Sequence, residues 1–158
     1  MAIIKIKTKI RAPINICFDL SRSIDLHMDS VHETDEKAIA GKTSGMIDLG
    51  ETVTWEAVHF GIKQRLKVKI TEFDRPSYFQ DAQVDGIFAY FRHDHYFKSI
   101  SQSETLMEDK FEFACPLGVF GKIAEPIVYR HLKKLLTKRN QVIKSTAESD
   151  EYHKYLKE

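Results

Sequence analysis

The chain has 158 residues, 42% of them hydrophobic and 30% charged, with a formal net charge of +1. That length makes one domain able to bury most of its unfolded surface without disulfides or metal, and the near-neutral balance supplies no general attraction to nucleic acid. Cys17 and Cys115 lie too far apart for a zinc or redox motif and read as reduced core thiols, while the segment Met1 to Arg11 lacks the apolar run of a signal peptide or membrane span, so the cytoplasm is the expected location.

Ile4, Ile6, Thr8 and Ile10 alternate with Lys5, Lys7 and Lys9, the period-two pattern of a half-buried first strand. Pro13 suits the first turn of a helix that spaces Ile14, Cys17, Phe18 and Ser21 along one face. Ser23 can cap a second short helix carrying Ile24, His27, Met28 and Val31. Residues 35–40 read as a second strand, followed by a loop holding Gly41, Gly45 and Gly50. Gly41-Lys42-Thr43 does not complete a phosphate-binding loop, because the glycine that motif needs five residues earlier is Glu36.

Val53, Trp55, Ala57 and His59 form one face of the next strand, and Trp55 selects it as the inner one. Leu66, Val68 and Ile70 then alternate with Arg65, Lys67 and Lys69 in a strand with a wet outer face, ended by Arg75-Pro76. Asp85-Gly86 is the preferred pair for a two-residue hairpin turn. Such a turn sets Tyr78 opposite His93 and Gln80 opposite Phe91, with Tyr78, Gln80, Ala82 and Val84 inside and Phe79 outside, in cation–π reach of Arg92. A bulge at the turn reverses the faces and brings Phe79 and Asp81 inward.

The returning strand holds the least ordinary chemistry. Ile87, Ala89, Phe91, His93, His95 and Phe97 share one face, which is apolar except for two imidazoles. The last strand places Thr105, Met107, Asp109, Phe111, Phe113 and Cys115 on its buried face. A carboxylate amid such neighbours needs a partner, and His93 or His95 is the one available. A long helix from about 122 to 145 carries Ile123, Ile127, Val128, Leu132, Leu135, Leu136, Val142 and Ile143 as its apolar stripe. The opposite face is basic, with Lys122, Arg130, Lys133, Lys134, Lys138, Arg139 and Lys144 against Glu125. The domain spans residues 1–146, and the polar segment 147–158 reads as a frayed tail.

The expected fold is α+β: a curved antiparallel sheet of about seven strands, two short helices after the first strand, and one long C-terminal helix laid in the concave face. A helix standing off such a sheet leaves a cavity. Its wall is expected to hold Trp55, Phe91, Phe97, Met107, Phe111 and Leu132, with His59, Tyr78, His93, His95 and Asp109 as polar contacts. His93, His95 and Asp109 are also the candidate catalytic groups, since a histidine–aspartate pair in an apolar cavity can move a proton at a carbon acid. A His-x-His pair is one way to begin a metal site, with Asp109, His59 or His27 to complete it. No second spaced ligand motif is visible, so neither metal nor another cofactor is expected.

The pattern Gly45, Gly50-Glu51, Val53-Thr54-Trp55, His59-Phe60-Gly61, then Gly86-x-Phe88, His93-x-His95-x-Phe97, then Asp109 and Pro116-x-Gly118 resembles the helix-grip domains of the START and pollen-allergen (SRPBCC) superfamily. The resemblance covers nearly the whole chain and is nearest to a bacterial ligand-binding, cell-division-inhibitor-like subgroup. Phe91 stands where that pattern has tryptophan. The resemblance implies binding of a small hydrophobic or amphipathic ligand, with a cyclase or dehydratase activity and a chaperone-activator-like interaction module as alternatives. The expected partners are that ligand and, through the basic face of the long helix, a transient membrane surface; the near-neutral charge balance argues against nucleic acid.

Overall fold

The computed structural model describes residues 1–157. It contains strands β1 (Ala2–Ile10), β2 (Lys37–Gly41), β3 (Thr52–His59), β4 (Ile62–Asp74), β5 (Tyr78–Gly86), β6 (Tyr90–Ser101) and β7 (Glu104–Ala114), and helices α1 (Ile14–Ser21), α2 (Ile24–Ser30), α3 (Gly118–Ala147) and α4 (Tyr152–Tyr155). All strand pairings are antiparallel, in the spatial order β1-β7-β6-β5-β4-β3-β2, so β1 and β2 are the edges. The chain crosses from one edge to the other through α1 and α2, and α3 closes over the same face of the sheet. The expected α+β class, strand number and helix order are those observed.

Side-chain alternation accounts for most of this. Along β7 every second residue is buried from Thr105 to Phe113, and these residues meet Ile4, Ile6, Thr8 and Ile10 of β1 across the ladder. In α2 the Ser23 hydroxyl accepts from the Leu26 amide, which is the expected cap. Phe18 of α1 inserts its ring among Phe73, Phe79 and Phe97 at centroid distances of 5.3–5.4 Å, so α1 anchors the lower sheet.

Four expectations are corrected. The two-residue turn at Asp85-Gly86 does not form: β5 and β6 pair Tyr78 with Tyr96, Phe79 with His95 and Asp81 with His93, and their ladder stops at Ala82 and Arg92. The reason is a wider loop clamped by the Gln83 side chain, whose amide donates to the Phe88 carbonyl and accepts from the Phe88 amide. The faces of β5 therefore follow the bulged alternative, with Phe79 and Asp81 inside and Tyr78 outside, and no Phe79–Arg92 contact forms. Second, β2 begins at Lys37, because Asp35 adopts a left-handed conformation at the end of a short 3-10 turn over His32–Thr34.

Third, α3 starts four residues earlier than expected, and its stripe is not covered throughout: Ile123 and Ile127 are 68% and 61% exposed. Arg139, assigned to the wet face, is buried instead. Fourth, residues 148–157 do not run free of the domain: Tyr152 and Tyr155 of α4 and the following Leu156 pack on the core and the Tyr155 hydroxyl donates to Asp29 at 2.7 Å, while Glu158 lies outside the described residues.

Gly121 lies where the first turn of α3 crosses the preceding loop. A Cβ there would clash with the Pro116 carbonyl oxygen, a backbone atom that cannot move aside alone. Gly121→Ala should lower stability by about 1–3 kcal/mol, the usual range for an overpacked site, and a urea melt of the two proteins checks it.

Candidate functional site

A cavity of about 460 Å³ lies between the sheet and the N-terminal two-thirds of α3. Its walls are mostly apolar, built from Val53, Trp55 and Ala57 of β3, Leu66, Val68 and Ile70 of β4, and Phe91 and Phe111 of β6 and β7. Ala124, Val128, Leu132 and Leu135 face them from α3. Toward its C-terminus α3 is pinned to the core, where Leu136, Arg139, Asn140, Ile143 and Ala147 are buried, while most of its earlier turns stand off the sheet and leave the space open.

The pin is a buried polar cluster. Asp109, in the middle of β7, accepts from the Asn140 side-chain amide at 2.6 Å and from His93 Nε2 at 2.7 Å. Arg139 Nη1 stands 3.6 Å from the same carboxylate, donates to Asn140 Oδ1 at 3.1 Å, and through Nη2 donates to the Ser21 carbonyl at 3.0 Å. His95 stacks on Phe79 at 4.0 Å and directs Nε2 to Asp81 Oδ2 at 2.8 Å. Its Nδ1 lies 3.3 Å from Asp109 but off the axis of a hydrogen bond, and among the described residues it is a buried polar side-chain atom without a partner.

These contacts sort the protonation states. Burial raises the Asp109 carboxyl, but the hydrogen bond from His93, the neighbouring His95 and the charge of Arg139 outweigh it and hold the group well below the usual carboxylate range. Asp81 is likewise favoured by burial toward its neutral form and is held low by the two histidines and Arg139. For His93 burial dominates, joined by the neighbouring His95, and its value falls. For His95 burial is overcome by the two carboxylates, and its value rises. The two carboxylates thus face Arg139 and a His95 whose charged form is favoured, whereas burial favours the neutral form of His93; with Nε2 donating to Asp109, neutral His93 keeps a lone pair on Nδ1.

A second polar group lies toward the other end of the same cavity. His59 Nδ1 meets His131 Nε2 at 2.8 Å, joining β3 to α3, and His27 Nε2 meets Glu36 at 2.8 Å with its ring 4.3 Å from Trp55. Burial opposes charge on Glu36, yet His27 holds it below the usual range.

Of the residues expected at the site, Trp55, His59, Phe91, His93, His95, Phe111 and Leu132 line the cavity. Asp109 stands behind His93 as its partner. Phe97 and Met107 pack against α1 instead, Met107 Sδ accepting from the Ser21 hydroxyl at 3.4 Å. Tyr78 lies on the opposite face of the sheet, where its hydroxyl donates to Asp94 at 2.7 Å beside Gln80 and Arg92, because the β5 register is shifted. Asp81, Glu36, His131, Arg139 and Asn140 join the site without having been expected there. Arg139 and Asn140 were detectable from position, since they continue the spacing of Leu132, Leu136 and Ile143. Burial pushes Cys17 up to about 11, which leaves that thiol unreactive.

A sheet wrapped around a long C-terminal helix with a cavity between them decides the architecture. The fold is the helix grip. The START superfamily protein of Mycobacterium smegmatis has this helix-grip fold at a TM-score of 0.70 and 10% identity, over 92% of this chain and 97% of that one. The Zhui aromatase/cyclase of Streptomyces sp. R1128 aligns over 93% of both chains at 0.75 and 10% identity. Ginseng major latex-like protein 151 of Panax ginseng aligns at 0.63 and 11% identity, over 94% of this chain and 98% of its own. No protein-family model and no curated protein sequence matches the chain. Among the described residues no helix of this helix-grip chain is long and apolar enough to cross a membrane.

Two outcomes follow from the polar groups. Replacing Asn140 by Ala takes a donor from a buried carboxylate, so unfolding free energy should fall by about 1.5–3 kcal/mol in a denaturant titration. Burial holds His59 and His131 below the ordinary histidine value, assisted at His131 by His59 and Lys134 and opposed at His59 by Glu36. The unfolded chain therefore binds protons first; the contribution of this pair is present above the unfolded value of about 6.5 and is lost as pH falls through the folded values. His131→Gln should lose less stability than the parent between about pH 7 and pH 5, measured as the shift in urea midpoint.

Proposed function

We propose that the protein binds a small, largely hydrophobic ligand in the cavity between its sheet and α3. The observation that carries this reading is a chamber of about 460 Å³ with apolar walls and a few convergent polar groups, within the roughly 300–1,000 Å³ common for small-molecule sites. Apolar contact supplies the affinity, and the histidines orient a polar end of the ligand. Phe60, Leu117 and Phe120 line the cavity and are also 56–80% exposed, so they mark an apolar mouth for cargo. The likeness in fold to a START superfamily protein and to an aromatase/cyclase supports the reading at the level of architecture.

A second reading is a cyclase- or dehydratase-type enzyme, favoured by the His93–Asp109 contact at 2.7 Å. In it, His93 Nδ1 takes the proton of a carbon acid held in the cavity, and Asp109 fixes the tautomer and supports the imidazolium formed.

Filling the chamber separates a binding cavity from an incidental gap. Ala124 lines it from α3, and Ala124→Trp should weaken binding of an apolar fluorescent probe at least about tenfold, a change of roughly 1.4 kcal/mol, with the fold retained by circular dichroism. Unchanged probe binding by the folded variant would overturn the proposal. Native mass spectrometry with His93→Ala then distinguishes the readings: a carrier retains its ligand differently, whereas an enzyme loses turnover.

A further inference from the structure

Asp81, His93 and His95 are brought together by strand pairing alone. Asp81 of β5 lies directly opposite His93 of β6, and His95 is on the same face two residues on. One ligand-capable atom from each of the three lies within 4.8 Å of the others. Asp81 Oδ2 is 2.8 Å from His95 Nε2 and 4.0 Å from His93 Nδ1. All three residues line the cavity. We infer that Asp81, His93 and His95 form a binding site for a divalent first-row transition ion, Zn²⁺ or Fe²⁺, with its remaining coordination positions open to the cavity.

Two imidazoles and one carboxylate on one side of an ion, with the other side open, is a donor set that suits zinc or non-haem iron and leaves room for an exogenous ligand. The surroundings match what such a site requires beyond its ligands. A metal-bound histidine donates its other ring N–H to a carboxylate or carbonyl, which fixes the ring. His93 does so already, through Nε2 to Asp109 at 2.7 Å, and this leaves Nδ1 directed for coordination. His95 Nδ1 is the buried atom without a partner, 3.3 Å from the same carboxylate. With Nε2 engaged by an ion, a small rotation of the ring brings Nδ1–H into line with Asp109, so one carboxylate would orient both histidines.

Asp109 itself cannot swing away, being held by Asn140 at 2.6 Å and faced by Arg139. The charges fit as well. A divalent ion together with Arg139 would exceed the two carboxylates by one positive charge, so the open positions would favour an anionic oxygen. The chemical class of ligand is then an apolar molecule ending in a carboxylate, enolate or phenolate. Among the described residues this is the one group of three or more such side chains close enough to hold an ion, and the His59–His131 and His27–Glu36 pairs do not extend to one.

The inference goes beyond ligand binding, and the two can fail separately. The full-length protein is stripped with chelator, dialysed, and titrated with Zn²⁺ by calorimetry and with Co²⁺ by visible absorption. The expected result is about one equivalent bound, with Co²⁺ bands of a low-coordinate nitrogen and oxygen site. Asp81→Asn, which keeps shape and removes the charged ligand, should weaken Zn²⁺ binding at least about tenfold, and Asp109→Asn about 10–100-fold through loss of orientation. His32→Gln, at an exposed histidine away from the cavity, should leave the titration unchanged. Substoichiometric binding, or an Asp81→Asn titration equal to the parent, overturns the site. The apolar probe run on the same samples keeps the readings apart: probe without metal removes only this inference, and metal without probe removes only the apolar-ligand reading.

Discussion

The structure depends on one buried carboxylate. Asp109 sits at the centre of β7 with 1% of its surface exposed. The polar groups that surround it are two imidazoles from the adjacent strand and an amide and a guanidinium from α3, His93 and Asn140 donating to it directly. An ionised group there would be costly unpaired, and each donor offsets part of that cost. Because those donors come from both layers, the interaction that neutralises Asp109 is also the one that ties helix to sheet. It acts at residues 139–140; the preceding turns of α3 stand away from the strands apart from the His131 contact to His59, and the cavity is the space they leave.

Much of this frame is written in the side-chain alternation. The period of two in β1, β3 and β7 gives the inner face directly, because a single slip would exchange isoleucines for lysines, or Asp109 for Lys110. The pairing of β5 is different. Both of its faces mix polar and apolar residues, so the pattern does not choose between them, and the choice falls to the loop. There Gln83 supplies hydrogen bonds to Phe88 that no turn propensity anticipates. The consequence is large, since that register decides whether Asp81 or Tyr78 faces the histidines.

The buried arginine was hidden for a related reason. A basic residue among Lys133, Lys134 and Lys138 looks solvated, and a charge on the apolar stripe stands out only once its partner across the core is known. Lys138 and Lys134 do remain outside, near Glu33, so the surface reading holds for them. Conversely, the apolar stripe of α3 extends beyond the sheet that it was expected to cover. Ile123 and Ile127 are left exposed because the early turns of the helix border the cavity mouth and not a packed layer.

The position of Asp109 has an evolutionary corollary. The anchorage at Asn140 and Ile143 and the chamber walls at Ala124, Val128 and Leu132 lie at different places along α3, with Leu136 and Arg139 shared between them. Substitutions around Ala124, Val128 or Leu132 can therefore reshape the chamber while the attachment at Asn140 stays intact. The shape of the chamber can then drift faster than the architecture. A frame divided in this way leaves the apolar part of the lining open to exchange by small steps, while His93, His95 and Arg139 stay tied to Asp109.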